Sequence, residues 1–209
     1  MLGGGLGLCW LAIGFGLGAV VGIDFLVILA IYTLLTLAYS TILKTVPVLD
    51  VLVLGVLFYL RLQAGADAIE QPVVPWLAIF SLLFFSSLAF AKRYVEMIRK
   101  PDDDNGTLLG RGYQTKDSLF VLGFGAALAV GSLLVFLLYA FSGQSQALST
   151  NDVAMACLGV ISYWIMRIWF LAARGELDDD PVLFALKDRV SYLLASIVVL
   201  ALVLDQWSR

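Results

Sequence analysis

Long stretches without a charged side chain are the feature that most constrains how this chain folds. Four such stretches occupy residues 1–23, 25–43, 71–91 and 118–151. A helix needs roughly 20 apolar residues to cross the hydrocarbon core of a bilayer, so several of these stretches are long enough to span a membrane. The composition agrees, with 61% hydrophobic and 14% charged residues, against about 25% charged in an ordinary soluble domain. The sequence therefore predicts a polytopic membrane protein.

Joining the apolar stretches across isolated charges predicts an all-α transmembrane bundle of about seven helices. The predicted spans are residues 3–22, 25–43, 50–66, 76–92, 118–141, 153–172 and 190–206. No convincing internal repeat divides the chain. We therefore expect a single transmembrane domain over residues 1–209.

Basic residues are distributed to one side of the predicted helices. With seven spans, ten of the 13 Lys and Arg residues fall on one side, and the loops on the other side contain none. Because cytoplasmic loops of membrane proteins are enriched in Lys and Arg, we expect the N-terminus and the long loops 93–117 and 173–189 to be cytoplasmic. The prediction is a multi-pass protein of the inner or cell membrane.

The chain contains no histidine, which excludes imidazole metal ligands, His general bases and Ser-His-Asp or Cys-His nucleophile systems. Cys9 and Cys157 lie in apolar stretches and form no Cys-x-x-Cys pair, so we expect structural thiols rather than a disulfide or a zinc site. We expect no nucleic-acid partner. Any chemistry must rely on carboxylates, Lys, Arg, Tyr or a bound metal ion.

The fourth predicted helix continues out of the membrane through a basic segment, residues 92–100. Lys92, Glu96 and Arg99 are spaced i, i+4 and i+7 and share one helical face. A cationic face with one carboxylate can hold a phosphate while the carboxylate helps hold its counter-cation. The competing interpretation, slightly favoured by position alone, is a basic stop that anchors the helix to anionic lipid headgroups.

Two arginines lie inside predicted spans. Arg167 shares a face with Tyr163 and Arg174, and an intramembrane charge is a functional candidate unless it simply extends to the headgroups, which is the alternative here. Arg61 lies deeper in its helix. Asp50 is eleven residues away on the same face, roughly 16 Å along the axis, which is too far to pair with Arg61. For Arg61 a structural role in the bundle is favoured over catalysis.

Two runs of three aspartates, residues 102–104 and 178–180, lie in predicted loops. Mg²⁺ is usually held by one or two carboxylates together with substrate phosphates, so each run could contribute metal ligands. A solvated loop is the alternative, favoured for the first run and evenly balanced for the second. The second run is better placed because it lies between Arg174 and the basic pair Lys187 and Arg189.

Together these residues resemble the UbiA superfamily of intramembrane prenyltransferases. The matching segments are residues 39–44, Asp50, residues 60–68, 91–96, 111–113 and 163–189. The resemblance covers nearly the whole chain from about residue 30. It is nearest to the branch that contains decaprenyl-phosphate phosphoribosyltransferase, and to the branch in which a haloacid-dehalogenase-like domain precedes the UbiA domain.

The resemblance implies a nine-helix bundle whose polar cavity opens to the cytoplasm and sideways to lipid. It implies a transferase of cell envelope biosynthesis that uses Mg²⁺ to transfer a prenyl or phosphoribosyl group with a polyprenyl phosphate or diphosphate as substrate. A dehalogenase-like domain is an expected N-terminal partner in the intact protein. The alternative is a non-catalytic polyprenyl-phosphate carrier or scaffold, or an inactive fragment, because binding needs the same cations as chemistry.

The resemblance also suggests roles for individual residues. The expected catalytic residues are Lys92, Glu96 and Arg167. The expected phosphate-binding residues are Lys44, Arg93, Arg99, Arg174, Lys187 and Arg189. The cavity is expected to be lined by Tyr39, Ser40, Asp50 and Tyr163, and Mg²⁺ is expected at Asp179 and Asp180.

One departure from the family pattern is large. The first family motif, an Asn-Asp-x-x-Asp run with a further Asp that supplies Mg²⁺ ligands, has no counterpart in this sequence. The seven predicted helices correspond to family helices three to nine, so we expect either a fragment or a shortened homologue. A diphosphate leaving group without those carboxylates and their metal loses a large electrostatic stabilisation.

Overall fold

The computed structural model describes residues 2–99, 111–142, 151–177 and 180–207, and these contain helices and no strand. The α-helices are α1 (Leu2–Val21), α2 (Ile23–Thr41), α3 (Leu49–Ala68), α4 (Pro75–Arg99), α5 (Ser118–Phe141), α6 (Asn151–Ala173), α7 (Pro181–Ala185) and α8 (Arg189–Trp207). Short 3₁₀ turns occupy Leu43–Thr45 and Thr115–Asp117. The predicted all-α helical bundle is confirmed.

Five helical segments of the described chain are long and apolar enough to cross a membrane. They are Ile23–Thr41, Leu49–Ala68, Pro75–Arg99, Thr115–Phe141 and Val153–Ala173. The helices α1 and α8 contribute the shorter apolar segments Trp10–Val21 and Arg189–Leu204. All seven long helices lie at the predicted positions, and they indicate a multi-pass membrane protein. The short helix α7 was not predicted.

The core lies where α4 packs against α3, α5 and α6, and two glycines let these helices approach closely. A Cβ on Gly55 would lie 2.3 Å from Ser86 Oγ, and a Cβ on Gly125 would lie 2.3 Å from the Trp169 ring. Ser87 Oγ donates a hydrogen bond of 2.8 Å to the Gly125 carbonyl and accepts one of 3.0 Å from Trp169 Nε1. Small residues and buried hydrogen bonds of this kind hold helices together in lipid, where the hydrophobic effect between helices is weak.

Polar side chains of the described chain gather at one end of the bundle, which we call the charged end. Here α3 and α8 begin and α4 and α6 end. Val48, just before α3, has a φ of 68°, an unfavourable conformation for a β-branched residue. Its backbone N–H donates to Tyr113 Oη at 2.8 Å. The strained entry to α3 is therefore held by a side chain from the segment that follows α4.

Gly112 allows this segment to lie close to the turn before α3. A Cβ at residue 112 would lie 2.6 Å from both the Thr45 carbonyl oxygen and Pro47 Cδ. A backbone carbonyl and a proline ring cannot move aside as the end of a flexible side chain can. Glycine is thus required at this position to bring Tyr113 to the charged end.

The cysteine prediction is confirmed for one of the two residues. Cys157 is a free thiol buried in α6, as expected of a structural cysteine. The side chain of Cys9 lies outside the described part of the structure.

Candidate functional site

Lys92 and Arg93 are adjacent in α4, but the structure places them in different environments. Successive residues of an α-helix are about 100° apart around its axis. Arg93 is 1% exposed and points into the bundle, whereas Lys92 is half-buried and lines a cavity. The basic segment at the end of α4 is therefore divided between an internal cluster and an accessible cavity.

The buried ion cluster consists of Asp50, Arg93, Glu96, Arg111 and Tyr113. Arg93 Nε lies 3.2 Å from Asp50 Oδ2, and Arg93 Nη1 also pairs with Glu96. Arg111 lies 3.5 Å from Asp50 Oδ2 through Nη1 and 3.4 Å from Glu96 Oε2 through Nε. Tyr113 Oη donates to Asp50 Oδ1 at 2.7 Å. Two guanidinium groups are thus balanced by two carboxylates.

Tyr113 acts in the cluster as a neutral hydrogen-bond donor. Burial raises the pKa of Tyr113 above its ordinary value, and the hydrogen bond and charge of Asp50 raise it further. The phenol therefore stays protonated and donates to Asp50 while it accepts from the Val48 N–H. The tyrosine links the turn before α3 to the ion cluster.

The burial of this cluster changes the interpretation of three predicted site residues. Asp50 is fully buried in this structure, and its expected place in the cavity lining stays a prediction. Arg93 and Glu96 face Asp50 and Arg111 rather than a cavity. The physical reason is that buried charges require partners, and here the partners come from the chain itself. In this structure the cluster positions α3 against α4.

An accessible cavity of about 400 Å³, which we call the Lys92 cavity, lies between α3, α4 and α7. Its charged lining residues are Arg61, Lys92 and Asp180. The remaining wall is apolar and consists of Leu54, Leu57, Phe58, Phe85, Leu88, Ala89, Pro181, Val182 and Leu183. The cavity thus combines a few charged groups with the apolar walls that are typical of ligand sites.

Lys92 and Asp180 form an ion pair at this cavity, with 2.7 Å between Lys92 Nζ and Asp180 Oδ2. The other carboxylate oxygen accepts hydrogen bonds from the backbone N–H groups of Val182 and Leu183, at 2.9 and 3.3 Å, and so caps α7. Proline at the first helical position also favours a helix start at this point. The two charged side chains are 29% and 27% exposed, so the pair is within reach of a ligand.

The environment of Asp180 keeps the carboxyl group ionised. Burial acts to raise its pKa, but the hydrogen bond and charge of Lys92, with the two backbone N–H groups, outweigh burial and hold the pKa below its ordinary value. A ligand anion that takes Lys92 would leave Asp180 with its helix-capping hydrogen bonds. The lysine is therefore the more readily exchanged member of the pair.

Arg167 pairs with a carboxylate that the sequence analysis did not assign. Its Nη1 and Nη2 lie 2.6 and 3.1 Å from the two oxygens of Asp188. Asp188 also accepts from Ser191 N and Ser191 Oγ, each at 2.8 Å, and Ser191 accepts from Trp164 Nε1 at 2.9 Å. These contacts join α6 to the start of α8. The signal for Asp188 is its position just before a helix, where Asp is a preferred N-cap residue.

The Asp188 carboxyl group is also held ionised. Burial acts to raise its pKa, and the hydrogen bonds from Arg167 and Ser191 outweigh this effect, so the pKa lies below the ordinary value. The intramembrane charge of Arg167 is thus neutralised by pairing. Its expected catalytic role stays a prediction.

The other predicted phosphate-binding residues surround the charged end. Arg99 donates to the Gly175 carbonyl at 3.3 and 3.0 Å and so ties the end of α4 to the end of α6. Arg174 lies over the Phe170 ring at 4.2 Å. The remaining three are Lys44, which is half-buried in the 3₁₀ turn after α2, and the exposed residues Lys187, between α7 and α8, and Arg189, at the start of α8.

The predicted cavity-lining residues other than Asp50 are not brought together. Tyr39 Oη accepts from Arg111 Nη1 at 3.4 Å and so contacts the buried ion cluster. Ser40 is exposed and donates to the Thr36 carbonyl at 2.8 Å. Tyr163 is 51% exposed on α6. None of the three lines the Lys92 cavity.

The described residues contain no ready-made cluster of three metal ligands. Within the described ranges, no three Asp, Glu, Cys or His residues lie close enough together to hold a metal ion. Both oxygens of Asp180 are already engaged, by Lys92 and by the backbone of α7. Asp179 and the aspartates at 102–104 lie outside the described residues. Mg²⁺ binding stays a prediction.

Three curated bacterial proteins are similar to this chain. The chain is 41% identical, over 94% of its length, to the uncharacterized protein y4nM of Sinorhizobium fredii, of which it covers 39%. It is 31% identical, over 87% of its length, to the nodulation protein NoeC of Azorhizobium caulinodans, of which it covers 60%. It is 25% identical, over 80% of its length, to the decaprenyl-phosphate phosphoribosyltransferase of Mycolicibacterium smegmatis, of which it covers 54%.

The chain therefore spans between two fifths and three fifths of the length of these relatives. No protein-family model matches it. The similarities extend over most of this chain, so they concern the helical bundle as a whole.

Proposed function

We propose that this chain is the membrane domain of a UbiA-superfamily transferase that moves a prenyl or phosphoribosyl group, with a polyprenyl phosphate or diphosphate as substrate. The observation that carries the proposal is the similarity of 80% of the chain to a decaprenyl-phosphate phosphoribosyltransferase. The Lys92 cavity supports it, because charged groups and apolar walls occur together within membrane helices. A phosphate with a long hydrocarbon chain requires both charged groups and apolar walls in its binding site.

Lys92 is the residue best placed to act on a phosphate group in this cavity. In a phosphoribosyl transfer, the bond between the sugar carbon and the diphosphate oxygen breaks, and its electron pair leaves with that oxygen. An oxygen of the polyprenyl phosphate then forms the new bond to the same carbon. Negative charge grows on the leaving oxygen, and a lysine ammonium fixed nearby stabilises it. The ion pair with Asp180 orients Lys92 before a ligand arrives.

Several further features belong to the same proposal. We place the charged end in the cytoplasm on the basis of the one-sided basic residues. We also propose that the intact protein requires Mg²⁺ and acts in cell envelope biosynthesis together with a dehalogenase-like domain. Chelation with EDTA tests the metal requirement, and restoration of activity by added Mg²⁺ would support it.

The proposal is tested with the intact protein in lipid nanodiscs. The probes are decaprenyl phosphate and radiolabelled phosphoribosyl diphosphate, followed by chromatography of the lipid product. Lys92→Met should lower the transfer rate about 100-fold, because it removes one stabilising cation from the site. Lys116→Met is the matched control, since Lys116 is an exposed lysine outside the cavity, and its rate should stay within about twofold of wild type.

Two results would contradict different parts of the proposal. A Lys92→Met variant that retains the wild-type rate would overturn the role assigned to Lys92. A protein that binds decaprenyl phosphate but transfers neither a phosphoribosyl nor a prenyl group would overturn the transferase proposal and favour the carrier or scaffold instead.

A further inference from the structure

Arg61 is a membrane-helix arginine with no carboxylate partner among the described residues. Its side chain is exposed, Nη2 donates to Tyr32 Oη at 2.7 Å, and the guanidinium lies 5.2 and 4.7 Å from the centroids of the Tyr32 and Phe58 rings. A guanidinium carries five N–H donors. The described residues therefore provide one hydrogen-bond acceptor for five donors.

The contacts of Arg61 leave most of its donors unsatisfied. An arginine within a membrane helix is costly and is usually paired or directed toward a water-filled cavity. Tyr32 supplies one hydrogen-bond acceptor, and the rings of Tyr32 and Phe58 attract the charge through cation–π contacts. The remaining donors require water or an anion. The structure provides room for either, because Arg61 lines the Lys92 cavity in addition to its contact with Tyr32 of α2.

Arg61 lies between two cavities of opposite character. On one side is the Lys92 cavity, with its ion pair. On the other is a cavity of about 360 Å³ between α3 and α4, which we call the inner cavity. The inner cavity is lined by Phe58, Arg61, Leu62, Leu77, Phe80, Ser81, Phe84 and Phe85. Phe58 and Phe85 stack at 3.8 Å and, like Arg61, line both cavities.

We propose that Arg61 anchors the anionic head group of an alkyl or prenyl phosphate whose hydrocarbon chain lies in the inner cavity. Both cations, Arg61 and Lys92, lie on the head-group side, whereas the inner cavity has no other charged residue. This arrangement complements a molecule with an anionic end and an apolar end. The guanidinium fork can bind two oxygens of one phosphate.

The inference rests on the proposed function in one respect, namely that a second, water-soluble reactant binds beside the lipid phosphate. With the lipid phosphate held at Arg61, the part of the Lys92 cavity next to α7 is left for a water-soluble reactant. Arg61 is thus a positioning residue for the lipid substrate, and Lys92 acts on the other reactant. The sequence alone favours a structural role for Arg61, and the two interpretations predict different binding behaviour.

The test measures binding to the protein in nanodiscs by isothermal titration calorimetry, with no second reactant present. The probes are dodecyl phosphate, dodecanoate and dodecanol. Arg61→Gln should weaken dodecyl phosphate binding at least about tenfold, since a charged hydrogen-bonding partner is lost. Dodecanol binding should change less than about twofold, because its chain contacts are unaltered. Lys116→Gln is the matched loss of one exposed positive charge, and its binding should equal that of wild type.

A second variant keeps the inference testable if Arg61→Gln fails to fold. Leu77→Trp places a larger side chain in the inner cavity and leaves Arg61 intact. It should weaken dodecyl phosphate much more than butyl phosphate, whose chain is too short to fill the inner cavity.

Several outcomes would overturn the inference. They are an Arg61→Gln variant that binds dodecyl phosphate like wild type, an equal loss of dodecanol binding, and stronger binding of dodecanoate than of dodecyl phosphate. Equal losses for both chain lengths in Leu77→Trp would also do so. A wild-type protein that shows Arg61-dependent binding of dodecyl phosphate but no transfer activity would overturn the proposed function and leave the inference about Arg61 standing.

Discussion

Two kinds of ion pair occur at the charged end. They differ in whether the carboxylate keeps hydrogen-bond donors from the start of a helix when its cation is removed. In the buried ion cluster, Asp50 is fully enclosed and depends on Arg93, Arg111 and Tyr113. In the capping pairs, Lys92 with Asp180 and Arg167 with Asp188, each carboxylate also accepts hydrogen bonds from the start of a helix. The capping pairs are also more accessible to solvent.

The comparison indicates which charges are able to exchange partners. Removing one member of a buried pair leaves a charge without water or partner, which is strongly destabilising. A capping aspartate keeps its backbone donors, so its cation can turn to an incoming phosphate at lower cost. Neighbouring cations of the same helix therefore divide into a permanent contact, Arg93, and an exchangeable one, Lys92.

The largest effect is expected for Asp50→Ala, which leaves the buried Arg93 and the partly exposed Arg111 with one carboxylate. The free energy of unfolding should fall by about 3–5 kcal/mol, measured by thermal or denaturant unfolding in detergent micelles. Asp24→Ala is the control, since Asp24 lies in the first turn of α2 as Asp50 lies in that of α3, but is exposed. Equal free energies of unfolding for the two variants would contradict the assignment of Asp50 to a stabilising cluster.

A smaller loss is expected for Gly112→Ala, because the added Cβ would lie 2.6 Å from the Thr45 carbonyl oxygen and displace Tyr113 from Asp50. The cost should be about 1–3 kcal/mol of unfolding free energy. Gly65→Ala provides the control, since no atom lies within 4 Å of its Cβ position, and in a helix it should stabilise by roughly 0.5–1 kcal/mol. Equal melting temperatures would show that the glycine does not position the cluster.

Arg167→Met should have a still smaller effect, because Asp188 keeps its hydrogen bonds with Ser191. We expect a loss of about 1–2 kcal/mol, between the values typical of exposed and buried pairs. The loss should be accompanied by faster proteolysis of the segment between α7 and α8. Arg174→Met, with a 4.0 Å pair on the surface, should change stability by less than about 0.5 kcal/mol. The prediction fails if the two variants behave alike.

The smallest effect is expected for the pair of Lys92 and Asp180, and it should depend on pH. The pKa of Asp180 is lower in the folded protein than its ordinary value of 3.8. Its stabilising contribution is therefore present above pH 3.8 and is lost as the pH falls through the folded-state pKa. Because the pair is partly exposed, we expect at most about 1 kcal/mol.

The measurement compares the melting temperatures of wild type and Asp180→Asn between pH 6 and pH 3. The difference should be largest near pH 6 and shrink toward pH 3, while other carboxylates titrate in both proteins. A difference that stays constant over this range would contradict the assigned pairing.

The positions of the long helices could be predicted because uncharged runs of about 20 residues carry that information directly. The extension of α4 to Arg99 was also predictable from the helical spacing of its basic face. The five-residue helix α7 was not, since so short a segment shows no periodicity. Its start depends on Asp180 and Pro181, which the sequence analysis assigned to a loop.

The candidate site was predicted in part. Helical geometry correctly indicated that Asp50 is too far from Arg61 to pair with it. It also implies that Lys92 and Arg93 point in different directions. Which neighbours meet each side chain depends on how the helices pack, and one sequence gives no information on that. For this reason the partners of Arg93, the pairing of Arg167 with Asp188 and the exposure of Arg61 to a cavity all required the structure.

The buried ion cluster also constrains the order of events during biosynthesis. Asp50 is translated 63 residues before Tyr113, an interval of roughly 3–13 s at about 5–20 residues per second. During the first part of this interval neither Arg93 nor Arg111 has been made, and until its end the set of partners of Asp50 is incomplete. The start of α3 therefore acquires its final contacts only after the segment beyond α4 has been translated, so this part of the bundle does not mature strictly helix by helix.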